Sequence, residues 1–325
     1  MNDTCNVNQH NSILPQSSKE IDGTNDLSLQ DISSRDKAWY EHRKNCDQAA
    51  NHYRGNENFD KYATRMDICS QLLDFRLILK DEEYKLKLDT ARFCRVRNCP
   101  VCQWRRSLMW KSKAYKILPQ VVDAYPKHRW LFLTLTVKNC KITELRDTLK
   151  WLNKSWQKIS HRKKFPAIGW TRSTEVTKGE DVSAHPHFHC LLLVKPSYFG
   201  KGYIKQQEWV ELWRSCLKVD YEPLVDIRAL KSGADPMELV PEIFKYCVKE
   251  SDLVADPEWF LELTRQMHKM RTIATGGVLK DYLKILEEEP EDLIGKDDTK
   301  TEDELEEGHL YFDWRYEEKK YKLKY

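Results

Sequence analysis

The stretch Ala184-His185-Pro186-His187-Phe188-His189-Cys190-Leu191-Leu192-Leu193-Val194 decides how the rest of the chain is read. Side chains alternate across a strand, so the three histidines, two residues apart, project from one side while Phe188, Leu192 and Val194 project from the other. The apolar side belongs on a core and the polar side is free to hold a ligand. Neutral imidazole is the commonest protein ligand of a divalent cation, so His187 and His189 on a rigid strand make half of a metal site, with His185 a further candidate. A single histidine is more often a satisfied structural residue. Three on one face, running into an apolar tail, favour the ligand reading.

Upstream, a second strand from about Ile168 to Thr177 leads through Lys178-Gly179-Glu180-Asp181-Val182-Ser183 into the histidine strand. A hairpin centred near Asp181 sets Glu175 directly across from His187 on the same face, and a slip of one residue removes it. Either Glu175 or His185 then completes the coordination. Further back, Arg129 to Val137 reads as a central strand with Thr134 and Thr136 on one face. Ile142 to Ile159 reads as a helix with Thr143 as N-cap and Lys150, Lys154 and Lys158 along one side. Downstream, Gln206 to Leu217 is a Trp-rich helix and Leu224 to Leu230 a strand. A helix is expected from Met237 to about Lys249, which stacks Glu242, Tyr246 and Lys249 on one face at i, i+4 and i+7.

Cys94-Arg95-Val96-Arg97-Asn98-Cys99-Pro100-Val101-Cys102 carries a Cys-x-x-Cys bite for tetrahedral zinc, with Cys94 as a third thiolate and Cys69 the candidate fourth. The competing reading is reduced cysteines packed at a helix start. Trp104 to Leu118 follows as a basic amphipathic helix, on which Arg105, Arg106 and Lys111 are candidate contacts to a nucleic-acid backbone.

The net charge of +3 conceals a segregation of charge. Trp104 to Lys164 holds 16 Lys/Arg against 3 Asp/Glu, a polyanion-binding surface, and Glu287 to Glu307 holds 12 Asp/Glu against 2 Lys, a solvated linker. No apolar run approaches the roughly 20 residues of a membrane span, and the N-terminus lacks a signal-peptide pattern, so a soluble, cytoplasmic protein without a membrane partner is expected. A reducing compartment turns the ten cysteines towards metal binding or burial rather than disulfides. The expected organisation is a disordered tail over 1–35 and a helical, Cys-rich DNA-contacting region over 36–125. A core over 126–252 and a C-terminal part over 253–325, with a helix, the acidic linker and a docked strand at Leu310 to Tyr316, complete it.

Phe132-Leu133-Thr134-Leu135-Thr136, His185-Pro186-His187-Phe188-His189 and Tyr246-Cys247-Val248-Lys249, in this order, resemble the three motifs of rolling-circle plasmid replication initiators of the HUH endonuclease superfamily. Glu242-Ile243-Phe244-Lys245-Tyr246 and the Cys94 to Arg106 segment resemble the subgroup with three residues between an active-site Glu and the Tyr. The resemblance spans roughly Cys94 to Asp252 and is specific as a set. It implies an α+β fold, an antiparallel sheet of about five strands flanked by helices, with a Cys-bearing, zinc-competent N-terminal segment. It also implies nicking of one strand at the plasmid origin, with His187 and His189 holding Mg²⁺ or Mn²⁺ and Tyr246 forming a 5′-phosphotyrosine. Glu242 would activate water to close the cycle, Lys249 would steady charge, and a host helicase and polymerase would act on the 3′-OH.

Three rivals deserve comparison. His185-Pro186-His187-Phe188-His189-Cys190-Leu191 fits a histidine-triad nucleotide hydrolase if Pro counts as apolar, but that leaves the basic block and the Glu-x-x-x-Tyr-x-x-Lys segment without a purpose. A zinc-bearing DNA-binding regulator without catalysis would make the histidines structural. A single-tyrosine transposase of the same superfamily would share the site and differ in its DNA.

Overall fold

The alternation in Ala184–Val194 gives the middle strand of a five-stranded sheet, in a computed structural model that describes residues 27–80, 83–231, 233–287 and 305–324. In chain order the helices are α1 (Leu29–Ile32), α2 (Ala38–Tyr53), α3 (Asp60–Asp67), α4 (Pro100–Ala124), α5 (Leu145–Ser160), α6 (Gln206–Leu217), α7 (Val240–Ile243), α8 (Glu250–Ala255), α9 (Pro257–Gln266) and α10 (Val278–Glu287). The strands are β1 (Leu72–Lys80), β2 (Glu83–Ala91), β3 (Arg129–Thr136), β4 (Ala167–Lys178), β5 (Ala184–Val194), β6 (Val225–Ala229), β7 (Ile273–Gly277), β8 (Leu305–Arg315) and β9 (Lys320–Lys324). The fold is α+β, as expected.

The main sheet runs β6-β3-β5-β4-β7 with every neighbouring pair antiparallel. One face carries Leu131, Leu133, Leu135, Phe188, Cys190 and Leu192, which pack with α5 and α6 (Leu149, Leu152, Trp156, Trp209, Trp213) into the larger core. Each such side chain contributes about 1.5–3 kcal/mol on burial. The opposite face carries Trp130, Phe132, Leu191 and Leu193, covered by α4, α7 and α10 through Ile117, Val121, Ile243 and Leu279. That apolar layer ends at Phe132 and Leu191, and the polar continuation of the same face begins with Thr134 and His189, which are register partners.

A second sheet, β2-β1-β8-β9, was not anticipated in a region read as helical over 36–125. Leu72–Lys80 and Glu83–Ala91 alternate at period two and pair as antiparallel strands. The expected strand at Leu310 to Tyr316 is β8; it docks on β1, and β9 follows it. The C-terminal part does not stand apart, because β7 also forms the edge of the main sheet against β4.

At the other end, Leu29 is fully buried and the Leu323 N–H donates to the Leu27 carbonyl, so residues 27–35 of the expected 1–35 tail are packed on the body. Residues 1–26 of that tail and 288–304 of the acidic linker lie outside the described residues. Among the described residues no helix is long and apolar enough to cross a membrane.

Two helix expectations need correction. Thr143 lies in a 3-10 turn, Ile142–Glu144, and Glu144 precedes α5 as its N-cap. The helix expected from Met237 to Lys249 is a 3-10 turn (Pro236–Leu239) and the single turn α7; residues 245–249 are not helical. The cause is β4. Its pairing with β7 stops at Ser173, and the N–H groups beyond need partners. The Thr174 N–H goes to the Thr272 carbonyl and the Val176 N–H to the Cys247 carbonyl at 2.8 Å, so residues around Val248 lie along β4 in place of a helix.

Candidate active site

Glu175 and His187 are direct register partners across the β4–β5 hairpin, so the carboxylate shares a face with the imidazoles. His187 Nε2 lies 3.1 Å and His189 Nε2 3.0 Å from the same oxygen, Glu175 Oε2. All three side chains are buried. Each ring is fixed from behind: His187 Nδ1 is 3.2 Å from the His185 carbonyl, and His189 Nδ1 is 3.3 Å from Thr134 Oγ1. Phe132 stacks on the His189 ring at 5.7 Å between centroids. Backing each ring nitrogen this way orients the other nitrogen forward, which is how metal-binding histidines are commonly held.

Burial opposes ionisation of Glu175, but hydrogen bonds from His187, His189 and Lys245 outweigh it and hold the carboxyl well below the usual carboxylate range. Three donor atoms within 4.8 Å of one another, on one side of the β4–β5 hairpin, are a set that would hold a divalent ion with fewer protein ligands than its full coordination number. His185 is not among them; its Nδ1 lies 2.7 Å from Asn139 Oδ1. Of the two candidates for a third donor, the geometry brings Glu175 to the pair and turns His185 aside.

The segment after α7 forms the rim. Glu242 is half-exposed, with Oε1 3.9 Å from His189 Nε2. Lys245, which the sequence reading passed over, reaches into the cluster with Nζ 2.8 Å from Glu175 Oε2 and 2.7 Å from Glu242 Oε1. Burial works against its charge, but the two carboxylates prevail and raise its pKa. Tyr246 faces the other way. Its ring stands edge-on to His42 of α2 at 6.1 Å, where burial and the Glu250 and Glu41 carboxylates push its hydroxyl pKa up. His42 is itself clamped, with Nδ1 2.5 Å from Glu250 Oε1 and its ring stacked on Trp104 at 4.4 Å. Lys249 is exposed at the N-cap of α8. Without the expected helix, Glu242, Tyr246 and Lys249 do not share one face.

Helix α4 borders this segment: the Ser107 hydroxyl donates to the Phe244 carbonyl, and Trp110 stacks on Phe244 at 6.0 Å. Of the three basic candidates on α4, Arg105 has its guanidinium over the rings of Trp39, Phe93 and Trp104, a packing role. Arg106 is partly exposed, and Lys111 is half-buried with its pKa lowered by that burial.

The cysteine expectation gains its fourth member. Cys69, Cys94, Cys99 and Cys102 place their sulfurs within 4.8 Å of one another. Cys69 Sγ is 3.7 Å from both Cys99 Sγ and Cys102 Sγ, and Cys94 Sγ is 3.5 Å from Cys102 Sγ. A tetrahedron with Zn–S of about 2.3 Å has edges of about 3.8 Å, so the four sulfurs fit the ion. The Val96 N–H points at Cys94 Sγ and the Cys94 N–H at Cys69 Sγ, both at 3.4 Å, which favours thiolates. A fifth sulfur, Cys46 Sγ of α2, lies 3.5 Å from Cys99 Sγ; nothing in its sequence neighbourhood signalled it.

The sequence has relatives among known proteins. Residues 85–322 match the family model described as Replication protein. A "Protein rep" of Bacillus amyloliquefaciens is 35% identical over 288 residues, covering 78% of this chain and 83% of its own length. One from Lentilactobacillus hilgardii is 32% identical over 312 residues, covering 90% and 98%. Another, from Lactiplantibacillus plantarum, is 38% identical over 245 residues, covering 70% and 76%. No solved structure matches.

Proposed function

This chain belongs to the replication protein family, and on that premise we propose that it is a plasmid rolling-circle replication initiator that binds origin DNA and nicks one strand through a covalent 5′-phosphotyrosine. The observation that carries the reading is the convergence of Glu175 Oε2, His187 Nε2 and His189 Nε2 beside the segment that bears Glu242 and Tyr246. Two imidazoles and a carboxylate suit Mn²⁺, with Mg²⁺ the more abundant alternative. A divalent ion held there supplies Lewis acidity to a phosphoryl oxygen.

The chain's own residues do the rest. The Tyr246 oxygen attacks the phosphorus, a Tyr–O–P bond forms as the P–O3′ bond breaks, and the proton given up by Tyr246 ends on the 3′-oxygen, which leaves as the 3′-OH that a host polymerase extends while a helicase opens the duplex. Glu242, close to His189 and half-exposed, takes a proton from the water that later releases the tyrosine. Arg106, Lys111 and Lys249 supply positive charge for the DNA backbone, which acts in the cytoplasm where the plasmid resides. The test is incubation of the protein with Mn²⁺ and labelled single-stranded origin DNA. A covalent protein–DNA adduct that chelation prevents supports the reading, and its absence refutes it.

We also assign structural zinc to Cys69, Cys94, Cys99 and Cys102. Metal analysis of purified protein is expected to give one zinc per chain. Cys69→Ser lowers the content and weakens zinc binding by about tenfold or more, because a tetrahedral site loses one of its four thiolates. Cys46→Ser keeps the zinc. Loss in both variants would make Cys46 a ligand and refute the four-sulfur assignment.

A further inference from the structure

Lys245 has no part in the chemistry above, yet it is the positive charge at the ligand cluster. Its ammonium touches Glu175 Oε2 and Glu242 Oε1. The Glu175 carboxylate is buried, and the one oxygen that meets His187 Nε2 and His189 Nε2 is also the oxygen that Lys245 touches. A carboxylate taken out of water needs a compensating positive charge beside it. Among the described residues, Lys245 is the ammonium in contact with Glu175.

The backbone around it is arranged as an alternation. Residues 245–249 are non-helical, and the Cys247 carbonyl ties them to β4 one residue beyond Glu175. Neighbouring side chains of an extended segment point to opposite sides. With Lys245 turned to Glu175, Tyr246 is turned to His42.

We propose that Lys245 is an internal counter-ion which competes with the divalent cation for Glu175, and that its displacement frees residues 244–249 to turn Tyr246 towards the ligand set. The proposal rests on reading Glu175, His187 and His189 as cation ligands. Glu242 is placed to keep the ammonium once it leaves Glu175, since it already holds the other side of the same Nζ. Lys245 thereby acts as a positioning residue: cation entry and nucleophile placement become one event.

The test needs no DNA. Calorimetric titration of metal-free protein with Mn²⁺ is expected to show Lys245→Met binding about tenfold more tightly than the wild type, the lower end of what one contacting charge does to a site's affinity for a proton. Lys245→Arg, which keeps the charge, binds like the wild type. Hydrogen exchange read by mass spectrometry over 244–249 is expected to quicken on Mn²⁺ addition in the wild type, and to be quick without Mn²⁺ in Lys245→Met. A Lys245→Met protein that binds Mn²⁺ no more tightly, or wild-type exchange indifferent to Mn²⁺, overturns the proposal. Wild-type protein that takes up no Mn²⁺ at all would instead refute the ligand set on which the proposed nicking depends.

Discussion

Tyr246→Phe will bind origin DNA and Mn²⁺ as the wild type does and form no covalent adduct, with nicking reduced by about 10³-fold or more, the scale of removing a nucleophile from a site whose other parts remain. The substitution removes one oxygen and leaves the ring against His42, at 6.1 Å between centroids, so folding is not at issue. In this structure the Tyr246 ring lies against His42 of α2, and burial and the Glu250 and Glu41 carboxylates raise its hydroxyl pKa. The variant therefore separates two possibilities that a static view does not. If Tyr246 is the nucleophile, the segment must turn and the adduct is lost; an adduct that survives in Tyr246→Phe, mapped by peptide sequencing to another residue, would overturn the assignment. Denaturing electrophoresis of labelled DNA reads both outcomes.

His187→Ala has the second largest effect. It removes one of two nitrogens that converge on Glu175 Oε2 and also uncovers the buried carboxylate on that side. Loss of an outer partner of a metal ligand costs about 10–100-fold in affinity or activity, and loss of a ligand itself costs more, so nicking in Mn²⁺ is expected to fall beyond that range. His185→Ala is the control: its Nδ1 is engaged with Asn139, outside the donor set, and it should retain Mn²⁺ binding within a few-fold. Calorimetry on both variants decides the matter. Equal losses would return His185 to the ligand set and count against the geometry described above.

What was legible in the sequence followed from periodicity, and what was not followed from tertiary pairing. The period-two histidines and a hairpin centred near Asp181 were enough to place Glu175 opposite His187, because a register error would have reversed every side chain on a buried strand. The Tyr246 segment was misread for the opposite reason. Glu242, Tyr246 and Lys249 fit helical spacing, but the unpaired N–H of Val176 on β4 draws Cys247 into an extended segment, a demand written in another part of the chain. Lys245 was quoted within its motif and passed over because helical spacing directs attention to every third or fourth residue. The β1–β2 hairpin was legible and overlooked: Leu73, Phe75 and Leu77 alternate with Asp74 and Arg76. Cys69 was named from the sequence as the candidate fourth thiolate and reaches the bite from the turn after α3, whereas Cys46 lies far from it in sequence and only the packing of α2 against α4 brings its sulfur there.

The pairing of β1 with β8 has a further consequence, for the order in which the protein can be made. Leu72 pairs with Asp313, so β1 waits for a strand synthesised about 240 residues after it. The burial of Tyr321 against Ser70 and Trp39 waits equally long. Contacts of such sequence separation form slowly. The nascent chain can complete the sheet that bears Glu175, His187 and His189 while the sheet near its own beginning still lacks two strands. The β1–β2 hairpin thus becomes native after the main sheet, and a ribosome that stops within the acidic stretch leaves β1 without β8 although the later-made main sheet is complete.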